Sequence, residues 1–220
     1  MSGSQSLKVT IVLQTPMVEP KDLLHLDAVL GALKVAQVKA EMGEGINPLD
    51  HHHDLPLERY EGSAGEWVFK ASALRLQAES RQNFMQTSRI NLSQAAEHRE
   101  SGWLNLRANM PNIAGGPFKT TLTFVPVAFG VLTGYCVGHK RQIESLLQGC
   151  VQIGGRRGTG WGRIKSVLVE EVSDKECNWM DRNLPLGIKG VECSHALAVS
   201  NLNAPYWDRT SYQQVLVPTD

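Results

Sequence analysis

Ile153-Gly-Gly-Arg-Arg-Gly-Thr-Gly-Trp-Gly-Arg-Ile164 holds five glycines and three arginines in twelve residues, and its flanks decide the fold. Before it, Ile143, Leu146, Leu147 and Cys150 recur at helical spacing from Lys140 to Cys150. After it, Ile164 to Val172 is rich in strand formers. The segment is therefore read as a loop that leaves a helix and enters a strand. Glycine tolerates positive φ and has no Cβ, so successive N–H groups at Gly154, Gly155, Gly158, Thr159, Gly160 and Gly162 can converge on phosphate oxygens. Arg156, Arg157 and Arg163, with Lys165, add charge and bidentate contacts, and Trp161 offers a flat face to a base.

Two familiar phosphate motifs are excluded by their own geometry. A Walker loop needs Lys-Ser/Thr after its last glycine, but Gly155 to Gly160 is followed by Trp161-Gly162. The dinucleotide fingerprint runs strand, loop, helix, whereas this order is helix, loop, strand. A loop at a helix C-terminus also sits at the negative end of the helix dipole, so the arginines must outweigh that field. In the plainer alternative, Arg156 and Arg157 only complement the last helical carbonyls, an effect of about 0.3–1 kcal/mol.

Working outward, Leu7 to Leu13 (LKVTIVL) reads as a strand buried on both faces, closed by Pro16 and Pro20. Leu26, Leu30 and Leu33 then mark a helix that begins near Asp22 or His25 and stops at Gly43. Leu55 to Tyr60 and Trp67 to Ala71 suggest a hairpin. Phe118 to Val125 and Val131 to Val137 suggest a second one, turning at Gly130. Between the hairpins, the polar stretch 79–112 reads as an inserted arm with a short helical cue at Leu92 to Ala96. The core order is strand, helix, paired strands, helix, strand. That is an α+β, ferredoxin-like (RRM-like) arrangement over 1–172, with 173–220 as a C-terminal hairpin and tail packing on the same body.

Acidic and basic residues number 22 each, which argues against a protein that coats nucleic acid indiscriminately. Any such site must be local, and charge is indeed uneven. From Gly138 to Lys165 the cations Lys140, Arg141, Arg156, Arg157, Arg163 and Lys165 face the single acid Glu144. A weaker excess runs from Arg75 to Lys119 through Arg81, Arg89, Arg99 and Arg107. Lys140 and Arg141 open a helix, where positive charge is slightly unfavourable; this favours an external anion there as much as a solvated helix end. No apolar run approaches the roughly 20 residues needed to cross a bilayer, and Met1 to Ser6 is not a signal peptide, so no membrane role and a cytoplasmic location are expected. Cys136, Cys150, Cys177 and Cys193 lack zinc-like spacing and read as reduced thiols; no cofactor or metal is expected.

The segment resembles the glycine-rich loop of the RAMP superfamily of CRISPR-associated proteins, which lies between the last helix and last strand of a ferredoxin-like unit. Gly160-Trp-Gly162 fits the closing glycine-hydrophobic-glycine and Ile153-Gly154 the end of the opening triplet, while Gln152 stands where its first glycine usually does. Within the superfamily the chain looks most like the subunit of type IV effector complexes that caps the 5′ handle of the guide RNA, the counterpart of the fifth Cas family. His25-Leu-Asp-Ala-Val-Leu30, Leu55-Pro-Leu57, Trp67-Val-Phe-Lys-Ala-Ser-Ala73 and Gly116-Pro-Phe-Lys119 carry that similarity.

The resemblance implies a non-catalytic subunit that grips the 5′ handle and abuts the backbone subunits, with the 79–112 arm reaching toward one of them, and the large subunit. It would help a particle hold target DNA for a DinG-type helicase. It places Arg156, Arg157, Arg163 and Lys165 on RNA phosphates, with His25, Ser72, Ala73 and Arg75 bordering the surface. Some relatives cut RNA without metal, so His25 is also the candidate base of a guide-processing endoribonuclease, although its neighbours suggest instead a helix-start histidine packed or hydrogen-bonded near the sheet. His51-His-His53 with Asp54 reads as a solvated loop, Ser194-His195 as a chance pair, and Trp103, Trp179 and Trp207 as core or interface anchors.

Overall fold

The computed structural model describes residues 3–43, 47, 50–62, 65–88, 91–102, 112–115, 118–191 and 194–219. Arg89, Trp103, Arg107, Gly116 and Cys193, singled out above, lie outside them. The chain forms two compact units, Met1–Ser80 with Ala128–Asp220, and Arg81–Val127.

In the first unit, β1 (Gln5–Leu13) is followed by the short β2 (Met17–Val18) and by α1 (Leu26–Met42). Next come β3 (Arg59–Glu61) and β4 (Trp67–Phe69), an antiparallel pair with Arg59 opposite Phe69. β5 (Arg75–Ser88) starts in this unit and β6 (Thr121–Gly138) ends in it. α3 (Lys140–Gln148) and β7 (Ile164–Glu171) complete the main sheet, and β8 (His195–Ser200) with β9 (Gln213–Pro218) form a separate ribbon. The described elements are thus mixed helix and antiparallel strand, an α+β chain, and no described helix is long and apolar enough to cross a membrane.

Within the sheet, β1 lies between β6 and β7, antiparallel to both, and β6 also pairs with β5 and β2. Leu7, Val9, Ile11 and Leu13 alternate along β1 and are buried. From the other elements they meet Leu132 and Cys136 of β6, Val169 of β7, Leu26 and Leu30 of α1, and Ile143 and Leu147 of α3. One sheet face therefore carries both helices. The expectation that β1 is buried on both faces is corrected: Lys8, Thr10 and Val12 are half-exposed, because the two helices share the opposite face.

The hairpin read at Gly130 is also corrected. β6 is one strand of 18 residues running straight through it. A Cβ on Gly130 would overlap the Gln77 carbonyl, so this glycine marks a close approach of β5 rather than a turn. The start of the polar stretch is likewise strand, since β5 extends to Ser88. In the second unit, α2 (Leu92–Glu100) is capped by the Asn91 side chain, which accepts from the N–H groups of Ser93 and Gln94, and the Thr123 hydroxyl donates to the Gln86 carbonyl.

The C-terminal extension is tied to the rest of the first unit by Arg182, which is 0% exposed. Its Nη1 donates to the carbonyls of Phe69 (2.7 Å) and Ala71 (3.0 Å), and its Nε to that of Asn183 (3.1 Å). Its Nη2 reaches the Leu202 carbonyl (2.6 Å), the Tyr206 hydroxyl (2.7 Å) and the buried Asp27 carboxylate (3.2 Å). Tyr206 in turn donates to Asp27. Burial works against the guanidinium charge, and Asp27 and Tyr206 together outweigh it, so the pKa of Arg182 is raised. A second small core of Val68, Leu184, Val191, Leu202 and Val215 packs beside this knot.

Removing one partner of a buried pair strands the other. Arg182→Met is expected to lower unfolding stability by about 3–5 kcal/mol, and Asp27→Asn by less because the amide retains acceptor capacity. Chemical denaturation of both variants measures the difference, and an Arg182→Met protein as stable as the parent would refute this account of the knot.

Candidate nucleic-acid interface

The glycine-rich segment is shaped by its bonds to the end of β1. Ile153 N–H donates to the Gly162 carbonyl (2.8 Å), and the Gly162 N–H donates to the Pro16 carbonyl (2.8 Å). Thr15 works both ways, its hydroxyl donating to the Gly160 carbonyl (3.0 Å) and accepting from the Arg163 N–H (2.9 Å). Gln14 N–H completes the staple on the Arg163 carbonyl (2.7 Å), and Gly155 bridges to Val18. Between these anchors a single 3-10 turn spans Arg157–Thr159. Arg156 enters it in the left-handed region (φ 54°) and Gly160 leaves it there (φ 90°).

These bonds narrow what the loop can offer an anion. The N–H groups of Thr159, Gly160, Gly162 and Arg163 are all engaged, the first two by the carbonyls of Arg156 and Arg157. The expected convergence of main-chain donors does not occur at those positions. What remains outward is side-chain charge: Arg156, Arg157, Arg163 and Lys165 are exposed, as are Gly155, Gly158 and Thr159. Gly154, Gly160 and Trp161 are half-buried and Gly162 is buried. Beside the turn runs a groove of about 610 Å³ whose walls include Leu24, Ala28, Ala32 and Leu33 of α1 and its approach, with Gly154 and Arg157 at the loop side.

The other candidate residues are not gathered here. Lys140 and Arg141 open α3, a helix of nine residues, so they stand about 12 Å from the end that leads into the loop. Lys140 is half-buried with its Nζ 3.6 Å from a carboxylate oxygen of Glu171, while Arg141 is exposed and lines a separate groove with Lys34 and Asp54. Arg75 forms a bidentate pair with Asp181, both contacts at 2.7 Å.

Ser72 and Ala73 are corrected from surface to interior, and His25 takes the packed position at the helix start that its neighbours suggest rather than an RNA-facing one; each is at most 2% exposed. Ser72 donates its hydroxyl to the Ala73 carbonyl and accepts from the Tyr135 N–H, serving the chain crossing between α1 and β6. His25 stacks on Tyr206 with ring centroids 4.0 Å apart, and its Nδ1 is buried without a hydrogen-bond partner. Burial, then the nearby Arg182 charge, lowers its pKa to about 3. The ring is neutral, out of solvent and a poor proton acceptor.

The remaining constellations serve packing. His53 bonds the Ala204 carbonyl and meets Trp67 edge-on, and no group of three potential metal ligands occurs among the described residues. His195 accepts from Ser194 while its other ring nitrogen faces the carbonyls of Met180 and Arg182. Trp179 packs on the small second core, whereas Trp207 is 76% exposed. Sequence reasoning missed Arg182 and Tyr206, since isolated polar residues in proline-punctuated chain read as solvated, and Asp27, since an acid in the first turn of a helix reads as a solvated end. It missed Thr15 too, although a threonine between a strand and Pro16 was the available signal.

The family described as CRISPR type IV associated protein Csf3 matches residues 5–218. No curated protein matches the chain.

Two outcomes test this geometry. At Gly162 (φ 68°) a Cβ would overlap the Ile153 carbonyl, while Gly158 has open space, so Gly162→Ala should cost more than about 1 kcal/mol and Gly158→Ala less, as read by denaturant midpoints. Equal effects would contradict the staple. For His25, the unfolded ring binds a proton near its ordinary 6.5 and the folded one only near 3, so the unfolded state holds more protons between those values. Stability should therefore fall as pH drops through that window, by up to about 1.4 kcal/mol per unit for this group, and His25→Phe should remove that component. Parallel curves for the two proteins would show that His25 is not held neutral.

Proposed function

This chain belongs to the Csf3 family of CRISPR type IV associated proteins, and from that premise we propose that it is a non-catalytic RNA-binding subunit of a type IV ribonucleoprotein, capping the 5′ handle of its guide RNA. The observation that carries this reading is the exposed cation set of Arg156, Arg157 and Arg163 on a loop stapled to the end of β1, with Lys165 at the start of β7. A neutral chain that concentrates charge on one fixed turn suits a local, positioned polyanion rather than bulk coating. Single-stranded RNA is read by splayed bases as well as by phosphates, and the apolar groove beside Arg157 is a surface on which a base can lie.

The same reading takes the first unit as a ferredoxin-like RAMP fold. In its support, β7, β1, β6 and β5 are consecutive neighbours, with α1 in the connection from β1 toward β5 and α3 in that from β6 to β7. The partners that follow are the backbone subunits, the large subunit, target DNA held within the particle and a DinG-type helicase.

The rival within the superfamily is a metal-independent endoribonuclease using His25. Burial of that ring and its low pKa argue against it as a base, since general-base work favours a pKa near the operating pH and reach to the 2′-hydroxyl. Repeat RNA incubated with the protein in chelator should remain whole; specific cleavage lost in His25→Ala would reverse the assignment.

Handle binding itself has an electrostatic signature. Four phosphate contacts at about −0.7 each predict a slope of log affinity against log salt of about −3. Replacing Arg156, Arg157 and Arg163 together by Asn, Gln and Gln should flatten it to about −1 and release the guide, with no change in fold because all three side chains are exposed. Unchanged guide retention by the folded variant would sink the proposal.

A further inference from the structure

We propose that the outer edge of β8 receives an extended, uncharged segment of another protein, which joins the β8–β9 ribbon as an added strand. Leu216 of β9 exchanges both main-chain hydrogen bonds with Leu184, at 2.8 and 2.9 Å. In an antiparallel ladder the two residues of such a position turn their peptide groups away from each other. Leu197, opposite Leu216, therefore directs its N–H and C=O to the far side of β8, and Val199, two residues on, does the same. His195 fits this alternation, since its N–H goes to the Val191 carbonyl rather than to β9. Among the described residues no strand lies beyond that edge.

Edge strands are normally blunted by charge, proline or a bulge. β7, the outer strand of the main sheet, follows the rule with Lys165, Glu170 and Glu171. β8 does not: His195-Ala-Leu-Ala-Val-Ser200 carries no Lys, Arg, Asp, Glu or Pro, and its one titratable ring is turned to the Met180 and Arg182 carbonyls. Its side chains are instead apolar and open, with Leu197 62% and Val199 64% exposed, and the connection to β9 adds Trp207 and Tyr212, both exposed.

The chemistry selects the occupant. Outward peptide groups at Leu197 and Val199, on a strand of six residues or about 20 Å, are matched by another extended backbone, and exposed apolar side chains on the same strand call for apolar partners. A polynucleotide would find no cation on β8 and only Asp208 beside Arg209 in the connection. Pairing of β8 with a second copy would bury two six-residue strands and little more, well below the roughly 1,200–2,000 Å² of a stable interface. A segment belonging to a partner already held in the same particle needs no such area, because its local concentration is high.

The test uses the particle formed by co-expressing the chain with its type IV CRISPR-associated partners and guide RNA. Amide exchange at Leu197 and Val199 should slow about tenfold or more in the particle relative to the isolated chain. Leu197→Lys with Val199→Lys, both at exposed positions, should leave the unfolding midpoint and guide retention intact while one protein component is lost. The inference stands apart from the RNA reading, since guide retention reports on 154–165 and component loss on β8. It is overturned by unchanged exchange on assembly. It is equally overturned by protection that appears with concentration in the isolated chain, the signature of a second copy, or with RNA alone.

Discussion

Arg182 is the constraint around which the first unit is organised. A guanidinium with no solvent exposure must find acceptors in the protein, because an unpaired buried charge costs many kcal/mol. Its acceptors come from the start of α1 through Asp27, from the end of β4 through Phe69 and Ala71, and from the extension through Leu202 and Tyr206. Those segments are remote in sequence, so the charge is satisfied only when all have arrived. Buried pairs are not generally a better source of stability than apolar packing, and the value of this one lies in excluding half-docked arrangements. His25 is drawn into the same knot, pressed on Tyr206 and kept neutral beside a fixed cation.

A similar logic of satisfaction governs the glycine-rich turn. The Gly162 and Arg163 peptide donors hold it to Pro16 and Thr15, and those of Thr159 and Gly160 close the turn on the Arg156 and Arg157 carbonyls, so these four are not open to an anion. Any anion recognition proposed for this loop therefore falls chiefly to its guanidinium groups. Arg156 sits at φ 54°, a conformation few residues adopt freely, and Gln152 donates its amide to the Arg157 carbonyl inside the turn. The turn also lies past the C-terminus of α3, where the helix field repels phosphate. Three arginines and a lysine answer that field with whole charges against a fraction of one.

Periodicity made much of this architecture legible. Leu7, Val9 and Ile11, the Leu26–Leu30–Leu33 series, and Ile143 with Leu147 each carried their element, because burial on one face imposes a period that side chains reveal. The glycine-rich turn was legible from composition alone. Gly130 misled because a glycine among strand formers signals a turn or a close approach with equal force, and only the Gln77 carbonyl against it decides. β5 was hidden by polarity, as its far half is mostly exposed and lacks the alternation that burial writes. The assignment of Ser72 to the surface failed for a related reason: a polar residue looks alike in sequence whether it meets water or a buried partner, and Ala73 beside it is small enough to suit either place.

Charge neutrality acquires a different meaning once these positions are known. With equal numbers of acids and bases the molecule has no net field to steer it, so partner choice depends on where charge is present and where it is withheld. The segment 156–165 places exposed cations outward, while Arg75, Lys70 and Arg182 are matched by Asp181, Glu58 and Asp27. β8 goes further and carries no formal charge. Two surfaces of one unit therefore repel each other's ligands: an apolar strand gains nothing on the arginine turn, and a phosphate chain gains nothing on β8. On the proposed reading, segregation of this kind would let a small neutral subunit engage RNA and protein at once without either displacing the other.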